Sequence, residues 1–125
     1  MAWELKSDRP IYAQLVERIE LMVVSGLYPP GCKLPSVRDL AAEAAVNPNT
    51  MQRAMSQLER SGLIFSQRTS GRFVTEDKEK IEEIKKSYAK EISDEYLRRM
   101  YKLGFTSTQI AAFLDRMIEE SEQNG

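Results

Sequence analysis

The feature that most restricts the fold of this chain is a pair of helix starts placed close together. Ser36 is a typical N-cap residue, and Asp39 stands where a capping-box partner is expected. Asn47 followed by Pro48 marks a second start, because proline suits the first helical turn. The first helix has room for only about two turns, and the second is expected to stop at Gly62. Two short helices joined by a tight turn are the skeleton of a helix-turn-helix.

The segments on either side of this motif predict the remaining elements of a small domain. Pro10 suits the first turn of an earlier helix, with Asp8 as a candidate cap, and apolar residues at helical spacing carry it toward Gly26. After Gly62, two apolar, β-prone stretches at 63–67 and 72–75 surround a turn with a basic residue at its start. This arrangement predicts a β-hairpin with a basic tip.

From residue 76 the composition changes to a Lys/Glu-rich pattern with apolar residues three or four apart, which predicts helices at about 77–103 and 106–121. Thr106 and Gln109 form a capping-box pattern at the start of the second of these. The expected fold is therefore mainly α with a small β-hairpin wing. A winged helix-turn-helix over residues 1–75 is followed by a two-helix C-terminal dimerisation region over 76–125.

Composition lowers the expectation of an enzyme. The chain has no histidine and a single cysteine, Cys32, so thiolate–imidazole zinc sites are excluded and the commonest general base is missing. The sequence also contains neither a Gly-rich phosphate loop nor a nucleophile elbow. We expect no catalytic residue, no metal and no cofactor. A lone cysteine favours a reducing cytoplasm, and no apolar run approaches the roughly 20 residues of a membrane span.

The charge distribution permits a nucleic-acid partner without demonstrating one. The net charge is −1. Residues 1–75 carry nine Lys/Arg against seven Asp/Glu, whereas residues 76–125 carry nine against twelve. The slight positive excess therefore lies in the part that contains the helix-turn-helix, which is the part expected to meet phosphate groups.

The second helix of the motif separates into two faces on a helical wheel. Met51 lies on the same side as other apolar residues, while Asn49, Gln52, Arg53 and a serine lie opposite. Amide side chains can pair with adenine and a guanidinium with guanine in the major groove. An ordinary solvated helix face is the commoner explanation of such a pattern taken alone. The capped helix before it and the basic hairpin after it favour the DNA interpretation.

Phosphate contacts are expected at two further places. Ser36 and Arg38 open the first helix of the motif, where free N–H groups and the helix dipole attract anions. Arg68 and Arg72 flank the hairpin tip, and Gly71 allows an unusual backbone angle there. The alternatives are a plain N-cap with a surface arginine, and a charged edge that prevents sheet aggregation.

Four runs in the first part of the chain resemble the GntR family of bacterial regulators, and the whole match extends over roughly residues 10–75. They are Leu-Pro-Ser-Val-Arg-Asp-Leu-Ala at 34–41, Val-Asn-Pro-Asn-Thr at 46–50, Leu-Glu-Arg-Ser-Gly-Leu-Ile at 58–64 and Gly-Arg-Phe-Val at 71–74. The start Pro-Ile-Tyr-Ala-Gln-Leu at 10–15 and the short C-terminal extension resemble its YtrA-like branch.

The resemblance implies a homodimeric winged-helix repressor that binds a palindromic operator in double-stranded DNA. Two positions depart from the family pattern and affect base preference and wing insertion: Gln52 replaces a common arginine, and Thr69 replaces a wing-tip glycine. The DNA contacts that carry over are Ser36, Arg38, Asn47, Asn49, Thr50, Gln52, Arg53, Arg68, Ser70 and Gly71.

The C-terminal helices present a narrow apolar stripe that needs a partner to cover it. We expect a second copy of the chain to do so, although packing of the stripe on the N-terminal domain is the alternative. An effector-responsive regulator is a further alternative, because tail aromatics could line a ligand pocket between the C-terminal helices, although packing is the commoner role of such residues. Those aromatics are Tyr88, Tyr96, Tyr101, Phe105 and Phe113. A protein-interaction module built on the same scaffold is the other function class. The expected dimer residues are Ile84, Tyr88, Ile92, Tyr96, Phe113, Leu114 and Met117.

Overall fold

The computed structural model of the chain describes residues 3–124 and divides it into two compact units, the first ending at Lys85 and the second beginning at Lys86. Five helices and one hairpin are present in the described residues, which confirms the predicted fold class. No helix within 3–124 is both long and apolar enough to cross a membrane. The elements are α1 (Ile11–Val24), α2 (Val37–Ala44), α3 (Pro48–Ser61), β1 (Ile64–Gln67), β2 (Gly71–Val74), α4 (Lys78–Lys102) and α5 (Ser107–Asn124).

Both predicted helix starts of the helix-turn-helix are confirmed. The Ser36 hydroxyl accepts a hydrogen bond from the backbone N–H of Asp39 at 3.1 Å, and the Asn47 side chain accepts one from the N–H of Asn49 at 2.8 Å. Each bond satisfies an N–H group that the first helical turn leaves without a backbone acceptor. Ala45 ends α2 with a φ of 59°, a left-handed conformation in a non-glycine residue, so the turn into α3 carries local strain.

The core of the first unit forms where α1, α2 and α3 meet. The buried face of α3 consists of Met51, Ala54, Met55 and Leu58, all fully buried, as the helical wheel predicts. Each large apolar side chain buried in this way contributes roughly 1.5–3 kcal/mol relative to exposure. The opposite face of α3 is therefore held at the surface. The largest fully buried side chains contributed by α1 and α2 are those of Leu15, Ile19, Val23 and Leu40.

The hairpin forms as predicted, with Ile64 opposite Val74 and Gln67 opposite Gly71. A third backbone segment, which the sequence does not indicate, runs beside it. Leu34 donates its N–H to the Arg72 carbonyl at 2.8 Å, and the Val74 N–H donates to the Cys32 carbonyl at 2.9 Å. The chain that leads into α2 is therefore hydrogen-bonded to the wing, and the start of α2 has a fixed position beside the hairpin.

Helix ends outside the motif agree with the sequence in part. The capping box of α5 is confirmed in both directions, because Thr106 N–H donates to Gln109 at 2.9 Å and Gln109 N–H donates to Thr106 at 3.2 Å. Asp8 as the cap of α1 is wrong, since Pro10 occupies the N-cap position and makes no side-chain cap bond. The buried Gln14 side chain instead binds both backbone polar groups of a residue before the helix. Helix α5 also extends beyond the expected end at 121.

Candidate nucleic-acid interface

The exposed face of α3 carries the side chains suited to base edges. Asn49, Gln52 and Arg53 are exposed, and Thr50 is half-buried. The Gln52 amide donates a hydrogen bond to the Ser56 hydroxyl at 3.2 Å, so its carbonyl oxygen faces away from that contact. The Asn47 side chain is occupied by its cap bond. Three groups in the first two turns of α3 therefore present donors and acceptors to the solvent, where a major groove could receive them.

Arg53 has a partner on another helix. Its guanidinium carbon lies 3.7 Å from the ring centroid of Tyr12 in the first turn of α1. This is a cation–π arrangement, in which the cation is attracted to the electron-rich face of the ring. Sequence reasoning missed the contact because no local pattern relates two residues so far apart in the chain. The side chain of Arg53 is thus held in place although it lies at the surface.

The start of α2 and the wing tip border one cleft of about 520 Å³. It brings together the predicted residues Ser36, Arg38, Ser70 and Gly71. All the charged residues that line it are cations, and Ser36, Val37 and Arg38, where α2 begins, also line it. The unpaired N–H groups and the dipole of a helix start attract anions. The cleft is therefore suited to an anion such as a phosphate. Its lining residues are Lys33, Leu34, Pro35, Ser36, Val37, Arg38, Thr69, Ser70, Gly71 and Arg72.

Lys33 is a residue of this cleft that sequence reasoning did not single out. Its backbone forms an isolated bridge with Phe73 beside β2, and the end of its side chain lies close to Gly71 at the start of β2. Gly71 has a φ of 107°, and a Cβ atom there would lie 3.1 Å from Cε of Lys33. The positive φ is what favours glycine at this position, because the flexible end of the Lys33 side chain can move by the few tenths of an ångström that a Cβ would need. Arg68, by contrast, is exposed in the hairpin turn and does not line the cleft.

A carboxylate fixes the wing to α3. Glu59 accepts a hydrogen bond from Nε of Arg72 at 2.6 Å and another from the Ser66 hydroxyl. The hydrogen bond from Ser66, with that from Arg72, holds the pKa of Glu59 below its ordinary value. Arg72, which the sequence suggested as a cation of the wing, is thus paired within the protein. We name this three-residue contact the Glu59 clamp.

The second unit leaves most of its apolar residues at the surface. Met100 and Ile110 are its buried apolar residues among those described, whereas Phe113, Leu114 and Met117 are 46%, 40% and 49% exposed. The Phe113 ring contacts that of Phe105, with centroids 5.9 Å apart. An apolar strip of α5 is thus open to a partner.

The other residues expected at a dimer contact have different surroundings. Ile92 is 68% exposed, while Tyr88 and Tyr96 are half-buried. The hydroxyl of Tyr96 is buried without a hydrogen-bond partner in the described part of the chain. Ile84 packs against the core of the first unit, together with Ile81. The apolar residues at the start of α4 therefore pack on the N-terminal domain, which was the alternative to a dimer contact.

Two further features of the described residues concern metal ligands and the Cys32 thiol. Within residues 3–124, no group of three or more His, Cys, Asp or Glu side chains is arranged to hold a metal ion. Burial raises the pKa of the Cys32 thiol, which disfavours the reactive thiolate at neutral pH.

Comparisons with known proteins agree with this architecture. The chain is 36% identical over 107 residues to the HTH-type transcriptional regulator YhcF of Bacillus subtilis, which covers 86% of this chain and 88% of YhcF. It is 40% identical over 72 residues to the HTH-type transcriptional repressor YtrA of the same organism, which covers 58% of this chain and 55% of YtrA. The chain thus spans about half the length of YtrA.

A solved GntR family transcriptional regulator from Listeria monocytogenes has a closely similar fold. It superposes with a TM-score of 0.82 at 38% identity, covering 90% of this chain and 98% of the other. The relatives are transcriptional regulators, which is a non-enzymatic role. Residues 11–74 match the family described as bacterial regulatory proteins, gntR family. The chain is similar to YtrA, belongs to this GntR family and is a DNA-binding transcriptional regulator.

Proposed function

We propose that this protein is a homodimeric repressor that binds a palindromic operator through α3 and the wing. The observation that carries the proposal is the exposed face of α3, where Asn49, Gln52 and Arg53 lie opposite a fully buried apolar face. Because its apolar face packs in the core, this helix can enter a major groove without changing its position in the protein. The name of the relative YtrA, a transcriptional repressor, supports repression rather than activation.

The cationic cleft would hold the DNA backbone beside that helix. Arg38 and Lys33 supply positive charge, and the N-terminal turn of α2 supplies N–H donors. Such contacts fix the register of the protein on the duplex but carry no sequence information, whereas the α3 side chains would choose the bases. Arg68 at the hairpin turn would approach the adjacent backbone or minor groove.

The dimer would form through the second unit. Phe113, Leu114 and Met117 offer an apolar strip on α5, and Ile92 adds exposed apolar surface on α4. A two-fold dimer places two recognition helices about 34 Å apart, which matches half-sites one helical turn apart on one face of the duplex. We leave Ile84 out of this interface because it packs within the first unit.

The test begins with selection of DNA from a library of duplexes with a randomised centre, using the full chain. The enriched duplex and a scrambled version are then compared by fluorescence anisotropy at several salt concentrations. We expect preferential binding to an inverted repeat. Arg38→Ala should weaken binding to both duplexes and lower the salt slope by about one. Gln52→Ala should instead reduce discrimination between duplexes. Lys86→Ala, which removes an exposed cation of the second unit, is the matched control.

The oligomeric state of the chain is measured separately from DNA binding. Light scattering coupled to size exclusion should give a dimer for the wild type and a monomer for Met117→Glu, with Arg116→Glu on the same helix as the charge-change control. Binding of a monomer to a single half-site would contradict the two-fold arrangement. If no duplex were enriched, a protein-interaction module would be the better explanation of the scaffold.

A further inference from the structure

Tyr12 and Arg53 form a pair whose geometry bears on base recognition. The guanidinium carbon of Arg53 lies 3.7 Å from the centre of the Tyr12 ring, so the cation lies on the face of the ring. A planar guanidinium held by its face keeps its N–H groups directed outward at its edge. Those N–H groups are the ones that form paired hydrogen bonds to O6 and N7 of guanine. The contact thus orients Arg53 without using the donors that a base would need.

The ring that holds Arg53 is itself firmly placed. Tyr12 is half-buried in the first turn of α1, three residues before the fully buried Leu15. Arg53 lies between Met51 and Ala54, which are fully buried on α3. Helices α1 and α3 therefore share one core, and neither can shift relative to the other without disturbing it. The ring acts as a fixed support for a side chain that would otherwise sample many rotamers.

We propose that Tyr12 is a positioning residue that sets the sequence specificity of Arg53. This inference rests on the proposed function, since it assigns a role within DNA recognition. Arg and Lys side chains lose considerable rotamer entropy when they are fixed on binding. An arginine already stacked on Tyr12 has lost part of that freedom before DNA arrives, so more of its hydrogen-bond energy appears as discrimination between bases.

Loss of the Tyr12 ring should affect discrimination at one base pair in each half-site. Tyr12→Leu should reduce discrimination at the base pair contacted by Arg53 by between about twofold and fivefold per half-site, which is the range for an exposed cation–π contact. The salt slope should stay unchanged, because no phosphate contact is removed. Tyr12→Phe keeps the ring face and should retain the wild-type discrimination. Arg53→Lys should lose it, because an ammonium group cannot form the paired contact.

A double-mutant cycle tests the proposal. The probe is the duplex enriched by the wild-type chain, compared with a set carrying single base-pair changes, and each variant is first checked for a cooperative thermal transition. We expect Tyr12→Leu to have no further effect in an Arg53→Ala background. The measured coupling between the two residues should equal the loss seen for Tyr12→Leu alone.

Three outcomes would overturn the inference while leaving the proposed function in place. Additive effects of Tyr12→Leu and Arg53→Ala would mean that Tyr12 acts by itself. An equal loss in Tyr12→Phe would assign the effect to the hydroxyl. A loss spread evenly over all base pairs, or a changed salt slope, would assign it to phosphate contacts or to the fold. Failure of the wild type to enrich any duplex would overturn both proposals.

Discussion

The Glu59 clamp should contribute measurably to the stability of the first unit and to the position of the wing. Glu59 lies in the last turns of α3, Ser66 lies on β1 and Arg72 lies on β2, so one carboxylate connects three elements. Glu59→Gln is the informative substitution, because it keeps the size and the hydrogen-bonding oxygen but removes the charge. The residue should remain in place while the charge-assisted part of both contacts is lost.

The size of the effect follows from the burial of the pair. The Arg72 and Glu59 side chains are 21% and 30% exposed, so the contact lies between a surface ion pair, worth about 0.2–1 kcal/mol, and a buried one. Hydrogen bonds to charged groups contribute about 1.5–3 kcal/mol and neutral ones about half of that. With a reduction for solvent screening, we expect Glu59→Gln to lower the free energy of unfolding by about 1–2 kcal/mol. For a domain of this size the melting temperature should fall by about 5–10 °C.

The pH dependence gives an independent check with a defined sign. The hydrogen bonds from Ser66 and Arg72 hold the pKa of Glu59 in the folded protein below its ordinary value of 4.5. The stabilisation is therefore complete above pH 4.5 and is lost as the pH falls through the lower folded-state pKa. The difference between wild type and Glu59→Gln should be largest at neutral pH and should shrink in acid.

The assay is urea unfolding followed by circular dichroism at neutral pH and at a series of acid pH values. Glu83→Gln on α4 removes the same charge from an exposed position and serves as the control. Two results would contradict a charge-assisted clamp: equal unfolding of the two variants at neutral pH, or an effect of Glu59→Gln that does not change with pH. Either result would mean that solvent screens the contact as it does an ordinary surface pair.

Three further substitutions test the local structure. Ala45→Gly should stabilise the chain by about 0.5–1 kcal/mol in urea unfolding, because glycine adopts the left-handed φ of 59° without strain; Ala42→Gly, on the exposed side of α2, should destabilise it by a similar amount. Ser36→Ala should lower stability by about 1 kcal/mol through loss of the α2 cap, and an unchanged urea midpoint would contradict this. Thr106→Ala should reduce the helix content of α5, measured by hydrogen exchange in its first turn, with Thr108→Ala as the control.

Element boundaries were predictable wherever a short-range contact determines them. Ser36, Asn47 and Thr106 bind N–H groups two or three residues away, so the sequence contains both partners of each bond within one turn. Gly62 ends α3 with a φ of 84° for an equally local reason. The buried face of α3 followed from helical periodicity alone. These features depend on neighbours in the chain, which a pattern of residue types can represent.

The parts of the site that sequence reasoning missed depend on distant partners. Lys33 reaches the cleft because its backbone pairs beside Phe73, and Arg53 is oriented by a ring on α1. Arg72 was expected to add positive charge beside the hairpin tip for a phosphate or the minor groove, but Glu59 on α3 binds it. None of these partners is marked by spacing or composition. The error at Asp8 has a different origin. Pro10 takes the N-cap position and makes no side-chain cap bond, while the buried Gln14 side chain binds the backbone of Lys6 and Arg9 before the helix.

The pairing of the segment before α2 with β2 has a consequence for how the first unit folds. The hydrogen bond between Leu34 N–H and the Arg72 carbonyl closes a loop that contains all of α2, α3 and β1. Closing a flexible loop of that length is entropically costly, but helices that form first shorten the chain to be closed. Folding should therefore proceed from the two helices to the hairpin, with the bond at Leu34 among the last to form. Substitutions in the α2–α3 turn should then slow refolding, whereas changes at Lys33 should mainly speed unfolding.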